Sequence, residues 1–311
     1  MPTRRQLLAT LAATSTAWAL GTRRLLDAST TTTKGGRMDP TPDPTRGSAP
    51  KPARMPVLFV GHGSPMNTLD ENEWSLGFAA LAHQTPRPKA ILAISAHWFV
   101  DGTHLTGDVR PRTIHDFSGF PRALYALDYP AAGRPDLAEQ VRTLLGERAS
   151  VRQDWGLDHG TWSVLRWMYP DADVPVVQLS IDRRLGMRRH FELARSLADL
   201  RDQGVLILAS GNTVHNLADA IRHMRTGSTD TPTWAKRFDD RLAEVLTQRD
   251  TAALLSTWPD GADARKAHPT PDHWLPLIYA YAATDERDTV RFPVEGFDLG
   301  SVGMRSVRFG P

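Results

Sequence analysis

The chain of 311 residues contains no cysteine. Disulfide bonds, iron–sulfur clusters and thiolate zinc sites are therefore excluded. Any metal ion must be held by histidine, aspartate or glutamate, a donor set that suits Fe(II), Zn(II) or Mn(II). The lack of cysteine is compatible with an oxidising compartment but does not establish one.

The sequence also lacks the motifs of several common enzyme classes. It has no G-x-G-x-x-G sequence and no Walker A sequence, so neither the dinucleotide-binding nor the P-loop fingerprint is present. The segment Gly-His-Gly-Ser-Pro at 61–65 is not the G-x-S-x-G motif of serine hydrolases. This argues against Ser64 as a nucleophile.

The chain has no large excess of either charge, since it contains 37 basic and 35 acidic residues. Six of the basic residues and one of the acidic residues lie within 1–37, so the rest of the chain is net acidic. This distribution argues against a nucleic-acid partner. The sequence does not indicate the oligomeric state.

Residues 1–26 have the features of an export signal. The pair Arg4 and Arg5 precedes a mildly apolar stretch at 9–20, and an Ala-x-Ala cleavage site lies at 17–19. The apolar stretch is too short to span a membrane, and no transmembrane span is expected. The pattern resembles a twin-arginine (Tat) signal and predicts a periplasmic protein.

The region after this signal predicts a boundary between leader and folded domain. Residues 27–54 are rich in Thr, Pro, Gly and Arg and cannot form a core, so we expect a disordered linker. One folded domain over 55–311 follows. The alternatives to the signal are a disordered basic tail, or a translation start at Met38 or Met55, in which case the protein is cytoplasmic.

Short apolar runs alternate with amphipathic segments throughout the predicted domain. The runs at 57–60, 90–94 and 205–209 are bounded by turn or polar residues, which is typical of buried parallel strands. The pattern predicts an α/β fold with a mainly parallel sheet. Further strands are predicted at 175–181, 289–293 and 301–309, and helices at 73–83, 137–145, from about 160 to 168, 191–202, 233–248, 252–255 and 276–283.

Three histidines follow predicted strands closely. His62 follows the first strand, His97 the second and His215 the strand at 205–209. Ligands of open α/β sheets bind beyond the carboxyl ends of the strands, so these histidines predict a metal site there. The alternative for each is an ordinary hydrogen-bonded polar residue.

Two more histidines lie in turns marked by glycine or proline, His159 and His273. A histidine ligand needs its second nitrogen held by a carboxylate or a carbonyl. Asp116, Asp158 and Asp272 each adjoin a histidine and could serve. Their alternative role is turn formation, which aspartate favours.

The other histidines receive no functional role. His268 lies five residues before His273, and His273 is preferred because a predicted helix follows it directly. The remaining ones are expected on helix or strand surfaces: His83, His104, His190 and His223.

Six motifs, in this order, resemble those of the class III extradiol ring-cleavage dioxygenases of the LigB-like superfamily, and in particular the DOPA 4,5-dioxygenase branch. They are Gly-His-Gly-Ser-Pro-Met at 61–66, Ser-Ala-His-Trp at 95–98, Ile-His-Asp-Phe at 114–117, Asp-His-Gly at 158–160, Ser-Gly-Asn-x-x-His-Asn at 210–216 and Pro-Thr-Pro-Asp-His at 269–273. The resemblance extends from about residue 55 to the C-terminus.

The resemblance implies a three-layer α/β sandwich with a non-haem metal centre at the carboxyl edge of the sheet. It implies that His62, His97, His215 and His273 surround the metal. Better-studied relatives use two histidines and a glutamate, whereas this chain offers His273 with Asp272 beside it. Fe(II) is the expected ion, since ring cleavage needs a redox metal, and Zn(II) is the alternative because histidines hold it well.

The activity implied is cleavage of a DOPA-like catechol by O₂ to a semialdehyde. His159, with Asp158 behind it, is the first candidate for the acid/base group, and His215 is the second. The resemblance also suggests that His115 contacts the substrate. Two alternatives are a non-catalytic metal-binding protein on the same fold and a zinc-dependent hydrolase.

Overall fold

The structure, a computed structural model, describes residues 54–311. The predicted signal at 1–26 and the predicted linker at 27–54 lie outside these residues, apart from Arg54. In the described part of the chain, no helix is both long and apolar enough to cross a membrane.

Ten strands and ten α-helices form residues 54–311. The strands are β1 (Val57–Gly61), β2 (Ala90–Val100), β3 (Thr103–Thr106), β4 (Ala149–Arg152), β5 (Val176–Asp182), β6 (Val205–Gly211), β7 (Thr289–Val294), β8 (Phe297–Asp298), β9 (Val302–Gly303) and β10 (Ser306–Gly310). The helices are α1 (Glu73–His83), α2 (Arg122–Tyr125), α3 (Pro135–Leu145), α4 (His159–Met168), α5 (Met187–Arg195), α6 (Leu217–Thr226), α7 (Thr233–Thr247), α8 (Thr251–Thr257), α9 (Ala264–Ala267) and α10 (Leu275–Ala282).

Eight strands form one mixed sheet in the order β4-β3-β5-β2-β6-β1-β10-β7. Strands β5, β2, β6 and β1 are parallel, whereas β10 and β7 add antiparallel strands beyond β1. The parallel strands are buried on both faces, which explains their continuous apolar runs. This arrangement confirms the predicted α/β sheet.

Alternate residues of the central strands enter two separate cores, because successive side chains of a strand point to opposite faces. Phe59 and Ile207 pack in the core that contains α7 and α10, whereas Leu58 packs in the core that contains α1 and α4. Helices therefore cover both faces of the sheet. The three-layer sandwich is confirmed.

Strand β2 is longer than the sequence predicts. The strand predicted at 90–94 continues to Val100, and its pairing with β5 shifts register between Ile94 and Phe99. Such a bulge re-aims side chains while the strand continues. His97 consequently lies inside the strand, just after the bulge begins, and not beyond its end.

Several other predicted elements differ in their bounds, and three of these differences are informative. Helix α4 begins at His159, one residue before the predicted start, because Asp158 caps it by accepting from the backbone N–H of Thr161 at 3.3 Å. The helix predicted at 191–202 is α5 followed by a separate 3₁₀ segment. The strand predicted at 301–309 is divided between β9 and β10.

Two of the histidines expected on surfaces are buried. His190 is fully buried, with its Nδ1 3.0 Å from the hydroxyl of Tyr279, because α5 packs against α10. His223 is 9% exposed, and its Nδ1 donates to the backbone carbonyl of Asp219. The surface expectation was wrong for both, since helical position alone does not show which neighbouring element covers a residue.

Candidate active site

Five histidines meet at the carboxyl edge of the parallel strands. Strands β2, β6 and β1 are neighbours, so His97 in β2, His62 after β1 and His215 after β6 arrive at one place. His159 enters from the start of α4, and His273 from the turn before α10. The structure thus brings together all five histidines that the sequence singled out for metal or acid/base roles.

Three of these rings form a nearly equilateral triangle. The ring centroids of His62, His97 and His273 are 5.0, 5.2 and 5.0 Å apart. Metal–nitrogen distances of about 2.0–2.1 Å place imidazole centroids roughly 5 Å apart around one ion. The triangle therefore has the size that a metal ion requires.

The environment of His62 fixes its tautomer. Its Nδ1 lies 2.8 Å from the hydroxyl of Ser210, and that hydroxyl donates its hydrogen to the carbonyl of Gly160. A hydroxyl has one hydrogen to give, so Ser210 must accept from His62. Nδ1 then carries the proton, and Nε2 presents a lone pair to the centre of the cluster.

Carboxylates face Nδ1 of the other two rings. Nδ1 of His97 lies 3.1 Å from Oδ2 of Asp116, and Nδ1 of His273 lies 2.5 Å from Oδ2 of Asp272. Nε2 of His273 is buried and has no hydrogen-bond partner among residues 54–311. An orphaned buried nitrogen is costly unless a ligand satisfies it.

The short contact between His62 and His97 also indicates that a cation binds between them. Nε2 of His62 and Nε2 of His97 are 3.1 Å apart, and two bare lone pairs at this distance repel. Burial opposes a charge on His97, but Asp116 and nearby carboxylates outweigh it and raise its pKa. A proton or a metal ion can occupy this position, and metal binding commonly displaces such protons. The residues present therefore fit a metal ion.

His159 lies beside this triangle, with its centroid 3.9 Å from that of His97. Its Nδ1 is 3.0 Å from Oδ1 of Asp116, which also accepts from its backbone N–H at 2.9 Å. The ring N–H is not aligned with that oxygen, so this contact is a weak electrostatic one and not a full hydrogen bond. Burial lowers the pKa of His159 to about 4, so the ring is neutral near pH 7.

Asp158 does not hold the ring of His159, which was its predicted position. Its carboxylate turns back to cap α4 and accepts from the side chain of Gln178. Burial raises the pKa of Asp158 to about 6. Asp116, which the sequence offered as one of three candidates, takes the place beside His159.

His215 is stacked on His273, with centroids 3.4 Å apart and planes 6° from parallel. The side chain is half-buried, and burial lowers the pKa of His215 to about 4 against the opposing effect of Asp272. Its backbone N–H donates to the carbonyl of Ala267 at 2.8 Å, which holds the loop after β6.

His115 lies apart from the five, within an aromatic group. Its Nε2 donates to the carbonyl of Leu127 at 3.0 Å, and its ring packs against Phe117, Tyr125 and Trp162. Phe117 reaches the cluster, since its ring meets that of His159 edge-on at 5.4 Å. Aromatic side chains thus form a wall on the His159 side of the centre.

His268 is fully buried outside the cluster. Its Nε2 donates to the carbonyl of Thr213 at 2.8 Å, and its ring packs against Trp274. This arrangement agrees with the choice of His273 over His268.

Residues 58–310 match the family described as the catalytic LigB subunit of aromatic ring-opening dioxygenase. The chain belongs to this family. It is 45% identical over 261 residues to a 4,5-DOPA dioxygenase extradiol of Escherichia coli K12, covering 83% of this chain and 95% of that protein. A 4,5-DOPA dioxygenase extradiol of Beta vulgaris is 36% identical, with coverage of 81% and 96%.

A solved structure shows the same fold. The crystal structure of an uncharacterized protein from Escherichia coli K12 superposes with a TM-score of 0.71 at 40% identity, covering 83% of this chain and all of that one. The LigB-family dioxygenase described here is thus a metal-dependent extradiol ring-cleaving enzyme, an oxidoreductase. The family, fold and reaction class predicted from the six motifs are confirmed.

Sequence reasoning missed Ser210 and the double contact of Asp116. The predicted strand ends at residue 209, whereas Ser210 is still paired with Val60 inside the sheet. A polar residue at the end of an otherwise apolar strand is a signal that could have identified it. Asp116 reaches His159 across 43 residues of sequence, and no local pattern indicates that contact.

Proposed function

We propose that this dioxygenase opens the ring of a DOPA-like catechol with O₂ to give a semialdehyde. The observation that carries the proposal is the triangle of His62, His97 and His273, in which each Nδ1 is held from outside. The names of the E. coli and Beta vulgaris relatives support the substrate class.

For the metal ligands we propose His62, His97 and His273. Two other groups have donor atoms within 4.8 Å of one another: His62, His97 and His159, and His215, Asp272 and His273. We favour His273 because its Nε2 is buried without a partner, whereas His159 has the wall residue Phe117 against its ring.

We propose Fe(II) as the ion. Bound there, it would supply redox chemistry and open coordination positions for a catechol and O₂. Zn(II) suits the all-histidine set equally well but has no redox chemistry, and it would favour the alternative of a zinc-dependent hydrolase.

His159 is our first candidate for the acid/base group. It is neutral at physiological pH, and it is oriented by Asp116 beside the ligand triangle. A neutral imidazole can accept the proton of a catechol hydroxyl and return it later. His215 is the second candidate.

We propose that the catechol ring lies against the aromatic wall. Phe117 contacts His159 and is itself packed by Phe120 and Tyr125. Edge and face contacts between aromatic rings contribute about 0.5–1.5 kcal/mol beyond area burial. In this arrangement His115 lies behind Phe117. Its main role is to support the aromatic wall and not to contact the catechol ring.

The decisive experiment is an oxygen-uptake assay. The protein is purified without oxygen, loaded with Fe(II) or with Zn(II), and mixed with DOPA and other catechols. Fe(II)-dependent uptake of O₂ with a yellow ring-opened product is expected, and the zinc-loaded protein should give none. Metal binding without uptake for any catechol would contradict the proposal and favour a non-catalytic metal-binding protein.

We also propose that the protein is exported to the periplasm through the twin-arginine pathway. The Arg4–Arg5 pair and the following apolar stretch support this. Twin-arginine export carries folded proteins, so the metal centre could be assembled before transport.

A further inference from the structure

We propose that Asp116 is a positioning residue that sets the orientation and tautomer of His97 and of His159 together. One carboxylate would then serve both metal retention and proton transfer. The part that concerns proton transfer rests on the function proposed above for His159. The part that concerns ring position rests on geometry alone.

The two oxygens of Asp116 are divided between the two rings. Oδ2 lies 3.1 Å from Nδ1 of His97, and Oδ1 lies 3.0 Å from Nδ1 of His159. A carboxylate only accepts, so it favours the tautomer of each ring in which Nδ1 carries the hydrogen. Each Nε2 is then free of hydrogen when the ring is neutral, which a ligand and a base both require.

A backbone contact fixes the carboxylate independently of either ring. Oδ1 of Asp116 accepts from the backbone N–H of His159 at 2.9 Å, at the start of α4. The loop that carries Asp116 is tied to the same place, since the N–H of Ile114 donates to the carbonyl of Leu157 at 2.8 Å. The carboxylate therefore has little freedom to follow one ring away from the other.

The rings of His273 and His62 each have a separate hydrogen-bond partner. Asp272 contacts the ring of His273, and Ser210 contacts that of His62. Removing the charge of Asp272 should therefore affect one ligand, whereas removing that of Asp116 should affect a ligand and His159. Asp272 supplies a matched control.

Asp116→Asn separates the two contacts at constant size. The amide has one acceptor oxygen and one donor NH₂ group. Its oxygen should take the Oδ1 position, where it accepts from the backbone N–H of His159, and its NH₂ group then faces the Nδ1–H of His97. That ring must turn or move its proton to Nε2.

The first readout is zinc affinity, measured by chelator competition on wild type, Asp116→Asn and Asp272→Asn. Both variants should bind zinc about 10–100-fold more weakly, the usual effect of losing a group that supports a ligand. The second readout is the tautomer of His97 and of His159, from ¹⁵N NMR of the zinc-loaded proteins. Wild type and Asp272→Asn should show the Nδ1–H form in both rings, and Asp116→Asn should lose it in His97.

The third readout is kcat at saturating Fe(II). Asp116→Ala, which removes both contacts, should lower it, and in the His159→Phe background it should lower it by a smaller factor, because part of its effect acts through His159. Loss of O₂ uptake in the wild type itself would refute the proposed function while leaving the zinc and NMR readouts valid.

Three outcomes would overturn the inference. Asp116→Asn could retain wild-type zinc affinity, it could leave the NMR signal of His97 unchanged, or the wild-type protein could show His159 as the Nε2–H form. The last result needs no variant, so the inference remains testable even if Asp116→Asn does not fold.

Discussion

The rings of His215 and His273 stack face to face, 3.4 Å apart and 6° from parallel. Imidazole lone pairs lie in the ring plane, so two parallel stacked rings do not direct them at a common point. One ion cannot be bound well by both. Because His273 has the buried unpaired Nε2, we expect His273 to be the ligand and His215 to face the substrate.

The first prediction concerns the ligands. His62→Ala, His97→Ala and His273→Ala should each remove most of the bound metal, measured by elemental analysis after dialysis, because each removes a direct bond. His215→Ala and the surface control His83→Ala should retain it. Full metal occupancy in His97→Ala would refute the ligand assignment.

The second prediction concerns proton transfer. His159→Phe should keep the fold and the metal, while turnover of catechol falls by about 10²–10⁴-fold, the usual contribution of one acid/base group. Steady-state O₂ uptake together with metal analysis tests this. Near wild-type turnover would transfer the acid/base role to His215, and loss of the metal would instead make His159 a ligand.

The third prediction concerns the space beside His97. A Cβ added at Gly160 would lie 2.5 Å from Oγ of Ser95 and 2.9 Å from Cδ2 of His97, so Gly160→Ala must displace one of them. We expect about 10–100-fold weaker metal binding, as for other losses of ligand support. Gly186→Ala is the control, since no atom lies within 4 Å of its added Cβ. Equal affinities in the two variants would show that the displacement does not reach the ligand.

The fourth prediction concerns acid stability. Burial lowers the pKa of His190 to about 4, so between about pH 6.5 and pH 4 the unfolded chain takes up a proton that the folded chain does not. This destabilises the fold as the pH falls through that window, by about 2 kcal/mol from pH 7.5 to pH 5. His190→Gln lacks this contribution.

Urea unfolding at pH 7.5 and pH 5 measures the effect. The free energy of unfolding should fall less in His190→Gln than in wild type over this range, whereas His83→Gln should behave as wild type does. An identical fall in all three proteins would mean that His190 is protonated in the folded state.

The fifth prediction concerns export. Replacing Arg4 and Arg5 with lysine should leave the precursor in the cytoplasm, because a receptor reads the arginine pair and charge alone is not enough. Cell fractionation with an antibody to the folded domain measures this. A mature N-terminus at Met38 or Met55, found in the cytoplasm, would contradict the proposal.

Much of the fold was predictable because its central strands are buried on both faces. The runs that became β1, β2 and β6 are continuous and apolar, and this places three histidines at one edge without further information. The bulge in β2 was not predictable, since it depends on pairing with β5. The position of His97 within the strand followed from that bulge.

The residues that hold the histidine rings were harder to predict than the histidines of the site themselves. Asp272 adjoins His273 in sequence and also in space, so the local rule succeeded there. The same rule failed for Asp158, because an aspartate directly before a helix caps the backbone. Contacts such as that of Asp116 with His159 are set by how a long connection folds over the sheet.

The two edge strands of the described sheet determine whether the sheet can pair with a strand of another chain. An unpaired edge strand is a template for another chain, and sheets avoid this with short strands, charge, bulges and proline. Strand β4 has four residues, and β7 carries an exposed Arg291 and Pro293, which has no N–H to donate, opposite a bulge in its pairing with β10. Neither edge suits strand addition, so the sheet resists growth into aggregates.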